Sequence, residues 1–341
     1  MRLSSETILA TPTGQAAPER APVPAHAELH DRHAARAGFF YAMACYLSWG
    51  AIPAYFKLLS HVPPLVILAH RIVWSVAFLA ILLTAQRRWA EVRAALQARR
   101  TVLALLCSTA LIATNWFVFI WAVTNGRLLQ ASLGYFINPL VNVLLGVAVL
   151  RERLRVAQVL ALLLAAAGVG VLTLAQGGVP WVALSLAFSF ATYGLIRKVT
   201  PVAPLAGLSV ETAILFLPSL CIATGVMPAA DGARAATSFP GPTYALLAAA
   251  GVITAMPLLW FSAAARRLRL STLGFIQYVA PTSQFLLAVL VYHEPFSVRQ
   301  LLSFALIWAA LAAYTLETLL NARRRRADER ESSETPVCCP E

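Results

Sequence analysis

The chain has 341 residues, of which 59% are apolar and 12% charged, and its mean hydropathy is +0.71. A soluble domain averages about 45–50% apolar and about 25% charged residues, so this composition excludes an ordinary soluble protein and indicates an integral membrane protein. The net charge of +12 comes from short basic clusters between apolar blocks, an arrangement that argues against a nucleic-acid-binding surface.

Both ends of the sequence are polar. Residues 1–37 are rich in Ala, Pro, His and charged side chains, without the apolar stretch of about 7–15 residues that a signal peptide requires. We therefore expect 1–37 to be a flexible cytoplasmic tail. Residues 321–341, which include four consecutive arginines, are expected to be a basic cytoplasmic tail.

The sequence between the tails divides into ten apolar segments. Each has about 17–24 residues, which is enough for a helix to cross a hydrocarbon core of about 30 Å. Helices satisfy their own backbone hydrogen bonds in lipid, so the prediction is an all-α protein with ten transmembrane helices. The segments lie at roughly 38–57, 65–84, 101–124, 130–150, 156–175, 180–196, 206–227, 243–264, 271–292 and 298–319.

The distribution of basic residues predicts the orientation. With ten crossings, 22 of the 27 Lys and Arg residues lie in the tails and loops on one side, and 4 lie on the other. Basic loops stay in the cytoplasm, so both termini are expected there. The protein is accordingly predicted to be a multi-pass protein of a bacterial inner membrane.

An internal repeat divides the ten segments into halves. At an offset of 142 residues the matching pairs include Arg127/Arg269, Pro139/Pro281 and Glu152/Glu294. The predicted units are therefore residues 38–176 and 177–320. Each holds five helices, an odd number, so the halves enter the membrane from opposite sides, as in the inverted repeats of many secondary transporters.

Four sequence runs carry a resemblance to a known family. They are residues 49–57 (WGAIPAYFK), 69–75 (AHRIVWS), 131–140 (ASLGYFINPL) and 267–275 (RLRLSTLGF). Together with the repeat, these runs resemble the EamA domains of the drug/metabolite transporter superfamily. The resemblance covers about 38–320 and implies a ten-helix permease of the inner membrane with a small-molecule substrate.

Three ionisable residues lie well inside the predicted spans, away from their ends, where each costs about 2.5–3.5 kcal/mol on insertion scales. His70 and Arg71 are in the second span, and Glu211 lies at a similar depth in the equivalent seventh span. We expect them to share a central cavity in which Glu211 balances Arg71, so that proton or substrate binding shifts the balance. The alternatives are a fixed structural pair and side chains that extend to the membrane surface.

Polar side chains also recur along two predicted helices. On helix four, one helical face carries Tyr135, Asn138 and Asn142. On the equivalent helix nine, the polar residues are Gln277, Tyr278 and Gln284. Buried amides both donate and accept hydrogen bonds, so they suit a neutral or zwitterionic solute. Hydrogen bonding between helices explains them equally well.

Other features concern helix shape and association. Pro139, Pro257 and Pro281 are expected to kink helices four, eight and nine, which supplies hinges or free carbonyl groups. Ala166 and Gly170 form a small-residue step on helix five, which indicates a packing helix or a homodimer contact.

The sequence lacks the motifs of soluble catalytic sites. No Gly-rich ATP loop, His-Glu-x-x-His metal site or Gly-x-Ser-x-Gly nucleophile elbow is present, so we predict no enzyme, no metal and no cofactor. The predicted function is secondary transport of a small organic metabolite or drug, with export coupled to protons. The alternative is a non-transporting membrane sensor or assembly protein on the same fold.

Overall fold

The fold is taken from a computed structural model. It describes residues 25–150, 156–176, 178–227, 239–265, 267–268 and 276–334. Within these ranges the chain forms helices and turns without any strand, which confirms the prediction of an all-helical fold. The described part of the chain is therefore held together by the packing of helices against one another.

Eleven helices are described. They are α1 (Ala25–Leu58), α2 (Pro64–Ala85), α3 (Trp89–Gln97), α4 (Arg99–Thr124), α5 (Leu128–Leu150), α6 (Val156–Gln176), α7 (Trp181–Val199), α8 (Pro204–Ala223), α9 (Gly241–Ala265), α10 (Val279–Leu286) and α11 (Val298–Glu334). A π-helical turn, Leu287–Val291, continues α10. Gly126 lies in the left-handed region, at φ 66°, in the tight turn between α4 and α5, where glycine carries no steric penalty.

Six of the helices in the described ranges are long and apolar enough to cross a membrane. The segments that qualify are Pro64–Ala85, Arg99–Thr124, Trp181–Val199, Pro204–Ala223, Gly241–Phe261 and Val298–Glu317. They support several membrane crossings. The full count of ten crossings and the two inverted repeats stay predictions.

Two helices extend beyond the predicted spans. Helix α1 begins at Ala25, inside the segment expected to be a flexible tail, and α11 continues to Glu334, inside the second expected tail. Both extensions are rich in Ala, Glu and Arg, which favour helix, so the helical backbone continues after the apolar pattern has stopped. The remainder of the tails, 1–24 and 335–341, lies outside the described residues.

A short amphipathic helix was missed by the sequence analysis. Helix α3 lies in the basic stretch after α2, where only a loop was expected, and it packs against α4 and α8. Arg88 just before it binds the carboxylate of Glu91 through two hydrogen bonds of 2.7 and 2.8 Å. With nine residues, α3 is too short to span a bilayer, so the search for apolar spans did not find it.

The helices that carry the candidate site pack around α2, α4 and α7. Helix α2 contacts α8 and α9, and α4 and α5 both contact α7. Glycines bring backbones together at two of these crossings: a Cβ at Gly134 of α5 would lie 3.1 Å from the Cα of Ala183, and Gly251 of α9 lies directly against the backbone of Trp74. Close helix approach at small residues is the usual means of association in lipid, where burial adds little.

Helices α6 and α11 form a separate pair. Gly168 lies at their crossing, where its carbonyl oxygen accepts a 2.6 Å hydrogen bond from Ser303. This agrees with the reading of the fifth predicted helix as a packing helix. Gly170 faces open space and Ala166 is exposed, so the predicted homodimer contact through them stays a prediction.

Glu294 joins two elements distant in sequence. Its carboxylate accepts 2.8 Å hydrogen bonds from the backbone N–H groups of Leu128 and Leu129 at the start of α5. Residue spacing in the sequence does not predict this contact. The first N–H groups of a helix have no partner within the helix, so a carboxylate there stabilises the terminus. The matching Glu152 lies outside the described residues.

Candidate functional site

Glu211 is completely buried in α8, and polar side chains of two other helices hold its carboxylate. Ser108 of α4 donates a 2.6 Å hydrogen bond to Oε1, and Tyr193 of α7 donates a 3.2 Å hydrogen bond to Oε2. Arg197, one turn after Tyr193, forms an ion pair in which its Nε lies 3.8 Å from Oε1. The carboxylate thus has a hydroxyl on each oxygen and a nearby cation.

A glycine makes room for this ion pair. Gly207, one turn before Glu211 on α8, lies under the guanidinium group of Arg197, and a Cβ at this position would overlap the guanidinium atoms. The Arg197 side chain is only 14% exposed, and its Nη1 has no hydrogen-bond partner in the described structure. Arg197 is therefore drawn inward from the end of α7, although the sequence analysis counted it among the loop charges.

Arg71 of α2 contacts aromatic rings instead of a carboxylate. Its guanidinium carbon lies 4.2 Å from the ring centroid of Trp116 and 5.8 Å from that of Phe56. Arg71 is 7% exposed, its Nε has no hydrogen-bond partner, and it forms no ion pair with any described acidic residue.

The aromatic contacts offset only part of the cost of burying Arg71. A cation over an aromatic ring gains about 0.5–2 kcal/mol. Placing an arginine at the centre of a membrane helix costs about 2.5–3.5 kcal/mol on insertion scales. Two such contacts offset much of this cost, but aromatic rings supply no counterion, so the charge stays without a described anion.

The expected pairing of Glu211 with Arg71 is wrong. Glu211 contacts α4 at Ser108, whereas Arg71 contacts α4 at Trp116, eight residues further along the helix. At 1.5 Å per residue this separation is about 12 Å along the axis of α4, too far for an ion pair. The structure instead pairs Glu211 with Arg197, fourteen positions earlier in the chain.

A row of aromatic rings connects the two charged groups. Phe56, which contacts Arg71, begins the row, and Tyr193, which binds Glu211, ends it. Successive ring centroids are 5.8 to 6.3 Å apart. This aromatic row consists of Phe56, Phe119, Tyr135, Phe190 and Tyr193. Residues of α1, α4, α5 and α7 therefore form one continuous line of ring contacts between Arg71 and Glu211.

The polar face predicted on α5 is only partly internal. Tyr135 belongs to the aromatic row and donates a 3.4 Å hydrogen bond to Oδ1 of Asn115. Asn138 is buried, and its Oδ1 has no hydrogen-bond partner within the described ranges. Asn142, one turn further, is exposed. The structure thus brings Tyr135 and Asn138 into the interior but leaves Asn142 at the surface.

The other predicted site residues lie on α2 and in or just before α10. His70 is buried edge-on against Tyr244 of α9, at 5.7 Å between ring centroids. Gln277 and Tyr278, both partly buried, lie in the turn before α10. Gln284 is buried and donates a 3.1 Å hydrogen bond to the carbonyl oxygen of Trp49, which joins α10 to α1.

The three prolines have different settings. Pro139 and Pro257 lie inside α5 and α9, as predicted for helix-bending positions. Pro281 lies in the first turn of α10. The turn at Gln277 and Tyr278 separates α10 from the helical residue Ile276, and the kink expected at Pro281 stays a prediction.

Sequence reasoning missed five residues of the site, which are Ser108, Tyr193, Arg197, Phe56 and Trp116. One signal was available: Tyr193 and Arg197 are four residues apart and therefore share a helix face. The aromatic partners of Arg71 gave no comparable signal, because aromatic residues are frequent throughout membrane helices. No group of three metal-ligating side chains occurs in the residues that the structure describes.

Comparisons with known proteins agree with this architecture. The model of the EamA-like transporter family matches residues 36–174. Protein RarD of Salmonella typhi is 46% identical over 299 residues, which cover 86% of this chain and all of that protein. The uncharacterized transporter YojE of Bacillus subtilis is 45% identical over 82% of this chain and 93% of its own length.

A solved structure supports the fold alone. It aligns with a TM-score of 0.55 at 21% sequence identity, and the alignment covers 82% of this chain and 97% of the other. Most of the chain thus has a counterpart of known three-dimensional structure.

Proposed function

Because the chain belongs to the EamA-like transporter family, alongside the RarD proteins, we propose that it exports a small organic metabolite or drug in exchange for protons. The observation that carries this proposal is the fully buried Glu211 carboxylate, held by Ser108, Tyr193 and Arg197. Ionisable groups within membrane helices commonly serve ion or substrate pathways. We place the protein in a bacterial inner membrane with both termini in the cytoplasm, on the basis of its basic loops.

Glu211 has two states that differ in their interaction with Arg197. When ionised, the carboxylate attracts the guanidinium group across 3.8 Å. When Glu211 takes up a proton this attraction is lost, and Arg197 is free to move away from α8. Protonation at one carboxylate thus alters the contact between α7 and α8, which is the kind of two-state element that alternating access needs.

The direction follows from the proton gradient. Protons move inward across an energised bacterial membrane, so a carrier that exchanges protons for solute drives the solute outward. The aromatic row, which runs from Phe56 beside Arg71 to Tyr193 beside Glu211, supplies the rings against which an organic solute packs. Transport then needs neither ATP nor a cofactor.

The experiment is a comparison of extracellular metabolites from four strains. One strain lacks the protein, one overproduces it, one overproduces Glu211→Gln, and one overproduces Glu91→Gln. Glu91 is the matched control, since its carboxylate pairs with Arg88 at the surface. We expect a few compounds to accumulate outside only with the intact protein and with Glu91→Gln.

Two outcomes contradict the proposal. Identical profiles in all four strains, at equal protein levels in the membrane, exclude export as the function. Accumulation with Glu211→Gln that equals accumulation with the intact protein excludes Glu211 as the coupling group.

A further inference from the structure

The buried charges of the site are balanced unequally. Glu211 has Arg197 as its counterion, with 3.8 Å between Nε and Oε1. Arg71 is also buried but forms no ion pair with a described carboxylate, and its Nε–H donates no hydrogen bond. Buried arginines are ordinarily paired with anions, because an arginine keeps its charge even when it is removed from water. Arg71 therefore lacks an anion.

The surroundings of Arg71 combine apolar and polar groups. The rings of Trp116 and Phe56 lie against the guanidinium, and the aromatic row leads from Phe56 through Phe119 to Tyr135. One turn after Tyr135 on α5, the buried Oδ1 of Asn138 is an acceptor that no described group satisfies. The unsatisfied donor of Arg71 thus lies beside Phe56 at one end of the aromatic row, and the unsatisfied acceptor of Asn138 lies one turn from Tyr135 in its middle.

We propose that Arg71 binds the carboxylate group of the transported solute, which is a small organic acid with an apolar or aromatic body. The inference rests on the proposed transport function and names its substrate class. The carboxylate accepts hydrogen bonds from the guanidinium, and the body of the solute lies along the aromatic row. Asn138 accepts a hydrogen bond from a hydroxyl or N–H group of the solute.

Charge distinguishes this class from other small molecules. A cationic solute is repelled by Arg71, whose charge no described carboxylate balances. A neutral solute leaves Arg71 without a counterion in the loaded state as well as in the empty one. A carboxylate matches the planar fork of the guanidinium, which presents two parallel N–H groups.

The test compares acids with their amides, which have almost the same shape but no charge. Purified protein in dodecyl maltoside is titrated in a calorimeter with three pairs: benzoate and benzamide, 4-hydroxybenzoate and 4-hydroxybenzamide, indole-3-acetate and indole-3-acetamide. We expect at least one acid to bind with an affinity roughly ten- to a hundred-fold higher than that of its amide, the range typical of a hydrogen bond to a charged group.

The variants separate a binding role of Arg71 from a structural one. Arg71→Gln is expected to lose the preference for the acid over the amide, and Arg71→Lys is expected to keep the preference with weaker binding. Arg127→Gln is the control, because the guanidinium carbon of Arg127 lies 5.2 Å from the ring centroid of Trp121 at an exposed turn. The Arg127→Gln variant is expected to prefer the acid over the amide as strongly as the intact protein does.

The proposal is overturned if no acid binds the intact protein, if acids and amides bind equally, or if Arg71→Gln keeps the preference. These outcomes are distinct from failure of the transport proposal. Binding that depends on Arg71 together with unchanged extracellular profiles contradicts export but leaves the anion site intact. Export of a neutral compound that persists in Arg71→Gln contradicts the anion site but leaves export intact.

Discussion

Glu211 and Arg71 are the eighth residues of α8 and α2, and this similarity led the sequence analysis to pair them. The inference overlooked a consequence of the inverted repeat. If equivalent helices enter from opposite sides, equal depth along them means equal distance from opposite membrane faces. The polar residues inside the apolar spans were therefore identifiable from the sequence, whereas their partners depended on the direction of each helix.

The interaction of Glu211 with Arg197 is tested by a double-mutant cycle. We expect Arg197→Gln to lower the free energy of unfolding by about 3–5 kcal/mol, because it leaves a buried carboxylate without its counterion. Glu211→Gln in the same protein should restore part of this loss, since the amide carries no charge. Thermal unfolding in detergent measures the stability of the intact protein, the two single variants and the double variant.

Additive effects of the two substitutions contradict the pairing. The surface pair of Arg88 and Glu91 provides the control cycle, in which each substitution is expected to change the free energy of unfolding by less than about 1 kcal/mol.

The existence of most helices was predictable from runs of apolar residues, but their ends were not. Helix α3 has too few residues for a membrane span, and α1 and α11 continue into segments whose polarity resembles that of tails. Asn142 shows a second limit: it belongs to the same helical face as Asn138 by spacing, yet it is exposed. Periodicity assigns residues to a face, whereas the neighbouring helix determines how far along that face burial extends.

The crossing of α6 and α11 depends on Gly168. A Cβ there would lie 2.9 Å from Cγ1 of Ile307 and 3.0 Å from the carbonyl oxygen of Ser303. We expect Gly168→Val to reduce stability by about 1–3 kcal/mol through overpacking, measured by thermal unfolding in detergent. Gly170→Val is the matched control, because nothing lies within 4 Å of its added Cβ. Equal losses for both variants would show that Gly168 does not determine the crossing.

The contact between Glu294 and α5 joins elements that the predicted repeat places in opposite halves of the chain. We expect Glu294→Ala to lower stability by about 0.5–2 kcal/mol, because two backbone N–H groups at the start of α5 lose their acceptor. Glu294→Gln keeps one acceptor oxygen and should lose less. Thermal unfolding compares the two, and a smaller effect for alanine than for glutamine argues against the cap.

At the scale of the whole molecule, the predicted halves place different chemistry at equivalent positions. Arg197 follows Phe56 by 141 residues, the offset that also relates Lys198 to Lys57. Phe56 contacts a cation on α2, whereas Arg197 contacts an anion on α8. The equivalent positions 56 and 197 therefore both contact a charged residue of the site. In the first half an aromatic ring contacts the cation Arg71, and in the second half a cation contacts the anion Glu211.

The proposed orientation is tested by cysteine labelling in intact cells, after the native cysteines have been replaced by serine. We expect a membrane-impermeant maleimide to label Asn125→Cys, in the exposed turn between α4 and α5, but not Arg87→Cys, in the exposed turn after α2. Asn125 directly follows α4, whereas Arg87 precedes α3 and α4. The reverse pattern would place the termini outside, and labelling of both would contradict a membrane crossing by α4.

The central claim is that solute leaves in exchange for a proton carried by Glu211. Everted membrane vesicles test this claim. The vesicles first acidify their interior, which a pH-sensitive dye monitors, and each compound found outside the producing cells is then added. Our account predicts that the compound dissipates the pH gradient in vesicles with the intact protein or Glu91→Gln, and leaves it unchanged with Glu211→Gln. Equal dissipation with Glu211→Gln, or none with the intact protein, would contradict the account.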